Sequence, residues 1–128
     1  PEYYMEFRYQ MEQSMENALG IFNEAASEFK AVFGREYSPI EYYSCENAGL
    51  ILLTAGTVAS TARIVIDQMR RKGYPVGLMK LKSFRPFPGQ ELQEALRSVA
   101  KIAVLDRNLS LGTGGIIAQE LRAALADS

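Results

Sequence analysis

The sequence predicts an α/β fold in which a mostly parallel sheet is covered by helices on both faces, with a long helix at its amino end. An uninterrupted apolar run at residues 50–53 ends at Ala55-Gly56, the pattern of a strand that is buried on both faces. A helical stripe follows this run, and the same order of strand, loop and helix recurs twice further along the chain. Strands that alternate with helices indicate right-handed crossovers, and therefore parallel neighbours within a three-layer domain.

The first predicted element is a long amphipathic helix from about residue 5 to residue 33. Its apolar residues recur every three or four positions, as on one face of a helix. They are Met11, Met15, Ala18, Leu19, Phe22, Ala25, Ala26, Phe29 and Phe33. Gly34 follows as a left-handed cap, and Pro39 prevents the helix from resuming. We interpret residues 1–36 as a linker helix that packs on a domain of residues 37–128, the two forming one structural unit.

Three strand–loop–helix units follow a short extended segment at residues 40–43. Each strand is apolar, each helix carries its apolar residues on one stripe, and glycine or proline separates the elements. The predicted strands are residues 50–54, 76–84 and 102–106, and the helical stripes begin at Val58, Leu92 and Ile117. The stripe of the first of these helices comprises Val58, Ala62, Val65, Ile66 and Met69.

The composition excludes several classes of protein. The chain has 128 residues, of which 48% are hydrophobic and 23% charged, and this balance is typical of one globular domain. Its 14 basic residues are scattered and the net charge is -1, so we expect no nucleic-acid partner. No apolar run approaches the length of a membrane helix, and we expect a cytoplasmic protein without membrane contact. The first residue is Pro1 within a helical pattern, so we expect further sequence upstream.

The scarcity of cysteine and histidine restricts the chemistry further. The chain has one cysteine, Cys45, and no histidine. A single thiol forms no internal disulfide and holds no iron–sulfur cluster, and the usual zinc sites and the commonest general base need imidazole. We therefore expect no metal site, and we expect Cys45 to be a packed small residue because no imidazole is present to activate it.

Three loops are expected to share one edge of the sheet, because the carboxyl ends of parallel strands meet there. They are residues 55–57, 85–89 and 106–115. The candidate ligand or interface residues at this edge are Thr54, Gly56, Thr57, Arg85, Asp106, Arg107, Gly112, Gly114 and Gly115. The hydroxyls of Ser60, Ser110 and Thr113 add to them.

Two interpretations of this edge stay open. Residues 112–115 would let backbone N–H groups approach a phosphate or carboxylate at the start of the last helix, which with Arg85 and Arg107 would make an anion site. Alternatively the glycines serve tight turns, since their spacing matches neither the dinucleotide-binding GxGxxG pattern nor the phosphate-binding GxxxxGK[ST] pattern. Asp106 is expected to cap the following segment or to form a salt bridge, because no second carboxylate lies near it in sequence.

The loop that contains Arg85-Pro86-Phe87-Pro88 is stiff, because two prolines fix φ and remove two N–H donors. Stiffness next to two aromatic side chains favours a docking surface. For Arg85 we expect an ion pair at a domain interface. We expect both X-Pro bonds to be trans, as most such bonds are.

A set of motifs in this order resembles the pyruvate:ferredoxin oxidoreductase family. They are Thr54-Ala55-Gly56-Thr57, Met69-Arg70-Arg71-Lys72-Gly73, Val76-Gly77-Leu78, Phe84-Arg85-Pro86-Phe87-Pro88, and Val104-Leu105-Asp106-Arg107 continuing to Gly112-Thr113-Gly114-Gly115. Residues 8–48 resemble the linker helix and entry strand of the family's domain II. The best marker is Phe-Arg-Pro-Phe-Pro. Asn47-Ala48 and Gly56-Thr57 depart from the family's frequent Asp-Ala and Gly-Ser.

The resemblance implies a segment of an alpha subunit, or of a fused polypeptide, with a fold similar to the C-terminal domain of transketolases. It implies a parent enzyme that oxidatively decarboxylates a 2-oxoacid such as pyruvate to an acyl-CoA and passes electrons to ferredoxin or flavodoxin. Thiamine diphosphate, magnesium, iron–sulfur clusters and coenzyme A would serve that enzyme and be held mainly by other domains. We therefore expect a structural and assembly domain without catalytic residues or a bound cofactor of its own, and the alternative is an anion or coenzyme A binding domain.

Overall fold

The computed structural model describes residues 2–126 and contains four helices and four strands among them. The elements are α1 (Glu2–Phe33), β1 (Ile40–Tyr43), β2 (Leu50–Ala55), α2 (Val58–Arg71), β3 (Val76–Leu81), α3 (Gly89–Leu96), β4 (Lys101–Leu105) and α4 (Ile116–Leu125). They divide into two units. The first comprises residues 2–39 and 83–88, and the second comprises residues 40–82 and 89–126. The division between a linker helix at residues 1–36 and a domain at residues 37–128 stays a prediction.

The second unit is built on a four-stranded sheet in the order β1-β3-β2-β4. β2 pairs in parallel with both β3 and β4, while β1 runs antiparallel to β3. The prediction of an α/β fold with a mostly parallel sheet and a long amino-terminal helix is therefore confirmed, and the arrangement is compatible with a transketolase C-terminal-like fold. The sequence indicated only an extended segment for β1, because nothing within four residues specifies the direction in which a strand will pair.

One face of the sheet is covered by α2. Ala59, Ala62 and Ile66 are buried there against Val76 and Leu78. Burial of each large aliphatic side chain in such a core contributes about 1.5–3 kcal/mol relative to leaving it exposed. The predicted stripe of this helix was wrong at one position, since Val65 is 47% exposed. Its neighbour Ile66 faces the sheet, and a step of one residue turns the side chain by about 100° around the helix axis.

The opposite face of the sheet is covered by α3 and α4. Side chains alternate along a strand, so Met79, which follows the α2-facing Leu78, points to this second face, and so does Ile51, which is paired with Gly77. Both are fully buried, and the helices bury Leu92, Leu96, Ile117 and Leu121. Tyr42 Oη donates a 2.9 Å hydrogen bond to Glu91 at the start of α3, which fixes that helix on the same face as Met79. The unit therefore has three layers, helix on sheet on helix.

Arg70, in the last turn of α2, holds the loop between β1 and β2. Its Nε donates to the carbonyl oxygen of Val76 at 2.6 Å, and its Nη2 donates to those of Ser44 at 2.5 Å and Glu46 at 2.9 Å. Ser44 has a positive φ of 51°, which a non-glycine residue rarely adopts, so this loop needs outside support. Arg70 therefore forms a backbone clamp on this loop.

The same loop lies against β3 at Gly77. A Cβ atom at Gly77 would stand 2.8 Å from the carbonyl oxygen of Ser44 and 2.9 Å from Cα of Cys45, so only glycine permits the approach. Cys45 Sγ donates to the carbonyl of Leu78 at 3.2 Å. Burial raises the pKa of the Cys45 thiol above its ordinary value. The thiol is therefore a packed, protonated group at neutral pH, as the sequence predicts.

In the first unit, α1 has 32 residues and is about 48 Å long at 1.5 Å per residue. Gly34 adopts the predicted left-handed conformation with φ of 67°, and its N–H donates to the carbonyl of Lys30 at 2.8 Å. Near this end the ring of Phe29 contacts those of Phe33 and Tyr37 at centroid distances of 4.5 and 5.3 Å. Among residues 2–126 there is no helix with the length and hydropathy needed to cross a membrane.

The remainder of the first unit is the loop at residues 83–88. Phe84 and Phe87 meet edge to face with centroids 6.3 Å apart, and Ser83 Oγ donates to the carbonyl of Pro86 at 2.8 Å. The Arg85-Pro86 bond is cis, so the expectation of two trans bonds was wrong. The intrinsic preference of X-Pro bonds for trans is small, and the local sequence therefore does not decide the isomer.

Candidate functional site

The parallel strands of the second unit end at one edge, as predicted. Thr54 is paired with Leu105, and Ala55 is paired with Leu81, so β2, β3 and β4 finish side by side. The loops after β2 and β4 leave from this edge, which brings together the candidate residues that they carry. They are Thr54, Gly56, Thr57, Asp106, Arg107, Gly112, Gly114 and Gly115. Arg85 belongs to the first unit.

The residues at the end of β2 serve the backbone. Thr54 is fully buried, and its Oγ1 donates a 2.8 Å hydrogen bond to the carbonyl oxygen of Leu105 across the strands. Gly56 has a φ of 67°, which makes the turn into α2. Thr57 precedes the helix without a capping hydrogen bond from its side chain. These positions join strands and helix, and the Thr54 hydroxyl is hydrogen-bonded within the sheet.

Asp106 caps α4 with both carboxylate oxygens. The N–H of Ile117 donates to Oδ1 at 3.2 Å and that of Ala118 donates to Oδ2 at 3.1 Å. Asn108 Oδ1 accepts a third hydrogen bond, from the N–H of Ile116 at 3.3 Å. The first amides of a helix have no partner within the helix, and here the protein itself supplies oxygen acceptors for them. The predicted capping role of Asp106 agrees with these contacts.

The glycines before α4 permit this capping. A Cβ atom at Gly115 would lie within 2.1–2.5 Å of the Asp106 side chain, so the carboxylate approaches only because this residue has none. Gly112 and Gly114 have φ of 82° and 85°, and the N–H groups of Thr113 and Gly114 both donate to the carbonyl of Ser110 at 3.1 Å. The segment is therefore a tight turn that leads directly into α4.

The arginines expected to bind an anion are arranged differently. Arg107 is exposed to solvent. The guanidinium of Arg85 lies over the ring of Phe84, 4.3 Å from its centroid, and Nη1 donates to the Phe84 carbonyl at 2.9 Å. Lys82, which directly follows β3, is paired with Glu41 Oε2 at 2.9 Å. Glu41 also pairs with Arg63, so this basic charge next to the edge has an acidic partner.

These contacts favour the turn interpretation over the anion interpretation. The amides that an anion would use at α4 already donate to Asp106 and Asn108. A phosphate or carboxylate placed there would also meet the negative charge of Asp106 at short range. Among residues 2–126, no three His, Cys, Asp or Glu side chains are grouped closely enough to hold a metal ion. Among the described residues of this edge, Thr54, Asp106 and Asn108 use their side chains in hydrogen bonds to the domain's own backbone.

Replacing Asp106 with alanine is expected to lower the free energy of unfolding by about 1–2 kcal/mol, the usual cost of losing an N-terminal cap. Asp106→Asn keeps one acceptor oxygen, and we expect it to lose about half as much. Urea unfolding of the chain measures both values. Equal stability of the alanine variant and the parent chain would contradict the capping role, and Arg107→Ala at the neighbouring exposed position serves as the control.

Two structural residues were not identified from the sequence. Asn108 shares the cap with Asp106, and the spacing Asp-x-Asn directly after a strand and before a glycine turn is a signal that could have revealed it. The second is Arg70. Its carbonyl partners Ser44 and Val76 lie 26 and 6 residues away, so no local pattern reveals them.

Comparison with known proteins shows which family the chain resembles. Residues 48–128 match the family model described as pyruvate:ferredoxin oxidoreductase core domain II. A pyruvate synthase subunit PorA from Methanothermobacter thermautotrophicus is 47% identical over 127 residues, which is 99% of this chain and 33% of that protein.

Two further relatives match this chain over a similar span. A pyruvate synthase subunit PorA from Pyrococcus furiosus is 39% identical over 125 residues, covering 98% of this chain and 32% of the relative. A ketoisovalerate oxidoreductase subunit VorA from Pyrococcus horikoshii is 41% identical over 126 residues, covering 98% of this chain and 32% of the relative. The chain therefore spans about a third of the length of the relatives it matches.

Proposed function

The chain belongs to the family of pyruvate:ferredoxin oxidoreductase core domain II, and from that premise we propose that it is a structural and assembly domain of a 2-oxoacid:ferredoxin oxidoreductase. The observation that carries the structural role is the internal use of the carboxyl edge. Thr54 donates to Leu105, and Asp106 and Asn108 accept the first amides of α4. Groups that are committed to the domain's own backbone are not available for chemistry.

The reaction that we propose belongs to the parent enzyme. It is the oxidative decarboxylation of a 2-oxoacid to an acyl-CoA, with the electrons passed to ferredoxin or flavodoxin. The names of the relatives mention pyruvate and ketoisovalerate, which are both 2-oxoacids, and this supports the substrate class. We propose pyruvate as the first substrate to test, and a cytoplasmic location for the enzyme.

The cofactors of the parent enzyme would lie outside this chain. Thiamine diphosphate, magnesium, iron–sulfur clusters and coenzyme A are the groups that we propose for the whole enzyme. An iron–sulfur cluster takes several thiolates, whereas Cys45 is the chain's only cysteine and is hydrogen-bonded to Leu78. The residues present therefore do not fit a cluster, and no step of the reaction is derived through these groups.

The assembly role is supported by the exposed apolar surface of α1. Tyr4, Phe7 and Met11 are 60–64% exposed, and Met15 is 38% exposed. On a helix these positions lie three or four residues apart and form one stripe. Large exposed apolar surfaces on soluble proteins mark interaction sites. We propose that this stripe, Tyr4-Phe7-Met11-Met15, packs against other domains or subunits of the same oxidoreductase.

The experiment that tests the function is reconstitution of the parent subunit with its partner subunits. The assembled enzyme is expected to reduce ferredoxin only when a 2-oxoacid and coenzyme A are both present, and pyruvate and ketoisovalerate are compared as substrates. The parent subunit alone is the control and is expected to be inactive. Assembly without ferredoxin reduction from any 2-oxoacid would contradict the proposed enzyme, and activity in the isolated chain would contradict the structural role.

A further inference from the structure

The segment between β4 and α4 exposes two leucines to solvent. Leu109 is 77% exposed and Leu111 is 96% exposed, the two highest values among the large hydrophobic residues that the structure describes. Ile116, the first residue of α4, is 37% exposed. No charged side chain occurs from residue 108 to residue 119. Residues 108–116, which we call the leucine turn, therefore form an apolar surface rather than a site with one stray hydrophobic residue.

Hydrogen bonds on both sides of Leu111 hold the leucine turn in one shape. The carbonyl of Ser110 accepts from the N–H groups of Thr113 and Gly114, both at 3.1 Å. In the other direction, the N–H of Ser110 donates to the carbonyl of Gly114 at 2.9 Å. Gly112 has a φ of 82°, as the third residue of a type II turn requires, and Leu111 is the second residue of that turn.

Side chains on either side fix the leucine turn to the domain. Gln119 Nε2 donates to the carbonyl of Thr113 at 2.8 Å, and Asn108 Oδ1 accepts from the N–H of Ile116 at 3.3 Å. A side chain carried by a fixed backbone loses less conformational freedom on binding than one carried by a loose loop. The hydrogen bonds that make the turn tight therefore also preorganise its two leucines for contact.

The composition of the leucine turn indicates what kind of surface would cover it. The fully buried centres of protein interfaces are depleted of charged residues, and this segment has none. A leucine that is almost fully exposed protrudes from the surface, so the complementary surface is a recess lined by apolar side chains. A charged ligand would find no counter-charge within residues 108–119.

The parent subunit offers a source for this recess. The relatives are about three times as long as this chain, so about two thirds of such a subunit lies outside it. Surfaces of the same polypeptide meet at an effective concentration on the order of millimolar, far above that of a separate protein. The rest of the same subunit is therefore the favoured partner for an apolar surface that would otherwise promote association.

We propose that the leucine turn docks into an apolar recess on the part of the parent subunit that lies outside this chain, with Leu109 and Leu111 as its anchors. The proposal rests on the proposed function in one respect, since it takes the chain to be part of such a subunit. It goes further by naming a second docking surface, separate in sequence from the stripe on α1, and the partner that covers it.

Hydroxyl-radical footprinting of the full-length parent subunit, read by mass spectrometry at single residues, tests this proposal. Leu53 is fully buried in β2 and serves as the protected reference with the same side chain. Because interface centres pack like protein interiors, Leu109 and Leu111 are expected to be oxidised within about threefold of the rate of Leu53, and at least about tenfold more slowly than an unprotected leucine. The isolated subunit is measured at a low and a high concentration, and the assembled enzyme is measured next.

Protection of both leucines in the isolated subunit at either concentration supports the proposal. Oxidation at the rate of unprotected leucine in all samples overturns it. Protection that appears only in the assembled enzyme, or only at the higher concentration, also overturns it, because a partner subunit or a second copy would then cover the turn. Ferredoxin reduction is recorded on the assembled sample beforehand, so that an active enzyme with unprotected leucines rejects only the docking of this turn.

A matched pair of variants shows whether the leucines act as anchors. Leu111→Asp in the full-length subunit places a charge in the recess and is expected to raise the oxidation of Leu109 at least about fivefold. Leu111→Met keeps an apolar side chain of similar volume and is expected to leave Leu109 protected. Continued protection of Leu53 in both variants shows that the fold is intact. Unchanged oxidation of Leu109 in the aspartate variant overturns the proposal.

Discussion

Replacing Arg70 with alanine is expected to lower the free energy of unfolding of the chain by about 2–4 kcal/mol. The guanidinium makes three hydrogen bonds to backbone carbonyls, those of Ser44, Glu46 and Val76. Hydrogen bonds from a charged donor contribute more than neutral ones, and their loss leaves partly buried carbonyls without a donor. Urea unfolding, with the denaturant slope checked for constancy, measures the change.

Arg71→Ala is the matched control for this prediction. Arg71 is the next residue of α2, has the same side chain and is exposed, so its replacement is expected to change stability by no more than about 0.5 kcal/mol. Arg70→Lys restores the charge without the planar fork and is expected to recover only part of the loss. If Arg70→Ala and Arg71→Ala had the same small effect, the backbone clamp would contribute nothing to stability.

The second large effect is expected on assembly of the parent enzyme. Replacing Met11 and Met15 together with glutamate places two charges in the proposed docking stripe. Losing the burial of two such side chains costs about 3 kcal/mol, so the affinity for partner subunits is expected to fall about a hundredfold. Size-exclusion chromatography or sedimentation of the reconstituted enzyme over a concentration series measures this change.

The control adds the same charge to another face of the same helix. Gln13→Glu and Asn17→Glu lie two residues beyond the methionines, which on a helix is about 200° around the axis, and both positions are exposed. This pair is expected to leave assembly unchanged. Equal loss of assembly in the two double variants would indicate a general effect of charge, and intact assembly of the methionine variant would remove the stripe from the interface.

The parts of the fold that follow from short-range patterns were predictable. Residues 50–53 are apolar without interruption because β2 is central in the sheet, and this pattern identified the strand. The left-handed conformation of Gly34 and the capping by Asp106 were also anticipated, because each depends on residues within about a dozen positions. Such features are specified by local stereochemistry and by the period of the hydrophobic residues.

The features that the sequence did not reveal depend on tertiary contacts. Arg70 reaches carbonyls that become its neighbours only when β1 and β3 pair. Val65 fits the helical period, yet it lies exposed on the flank of α2, because the stripe that the sheet buries is narrower than the apolar pattern. The anion interpretation of the glycine turn was reasonable from composition, and only the position of Asp106 beside Gly115 shows that the helix amides are already occupied.

The proposed role of this domain is to contribute structure and assembly but no ligand-binding group. It is tested most directly by steady-state kinetics of the fully assembled parent enzyme carrying Arg85→Ala together with Arg107→Ala. With the assembled fraction purified first, we predict an unchanged kcat for 2-oxoacid-dependent ferredoxin reduction and an unchanged KM for coenzyme A. A KM for coenzyme A raised about tenfold or more in fully assembled enzyme would contradict the account, because these arginines would then bind the ligand.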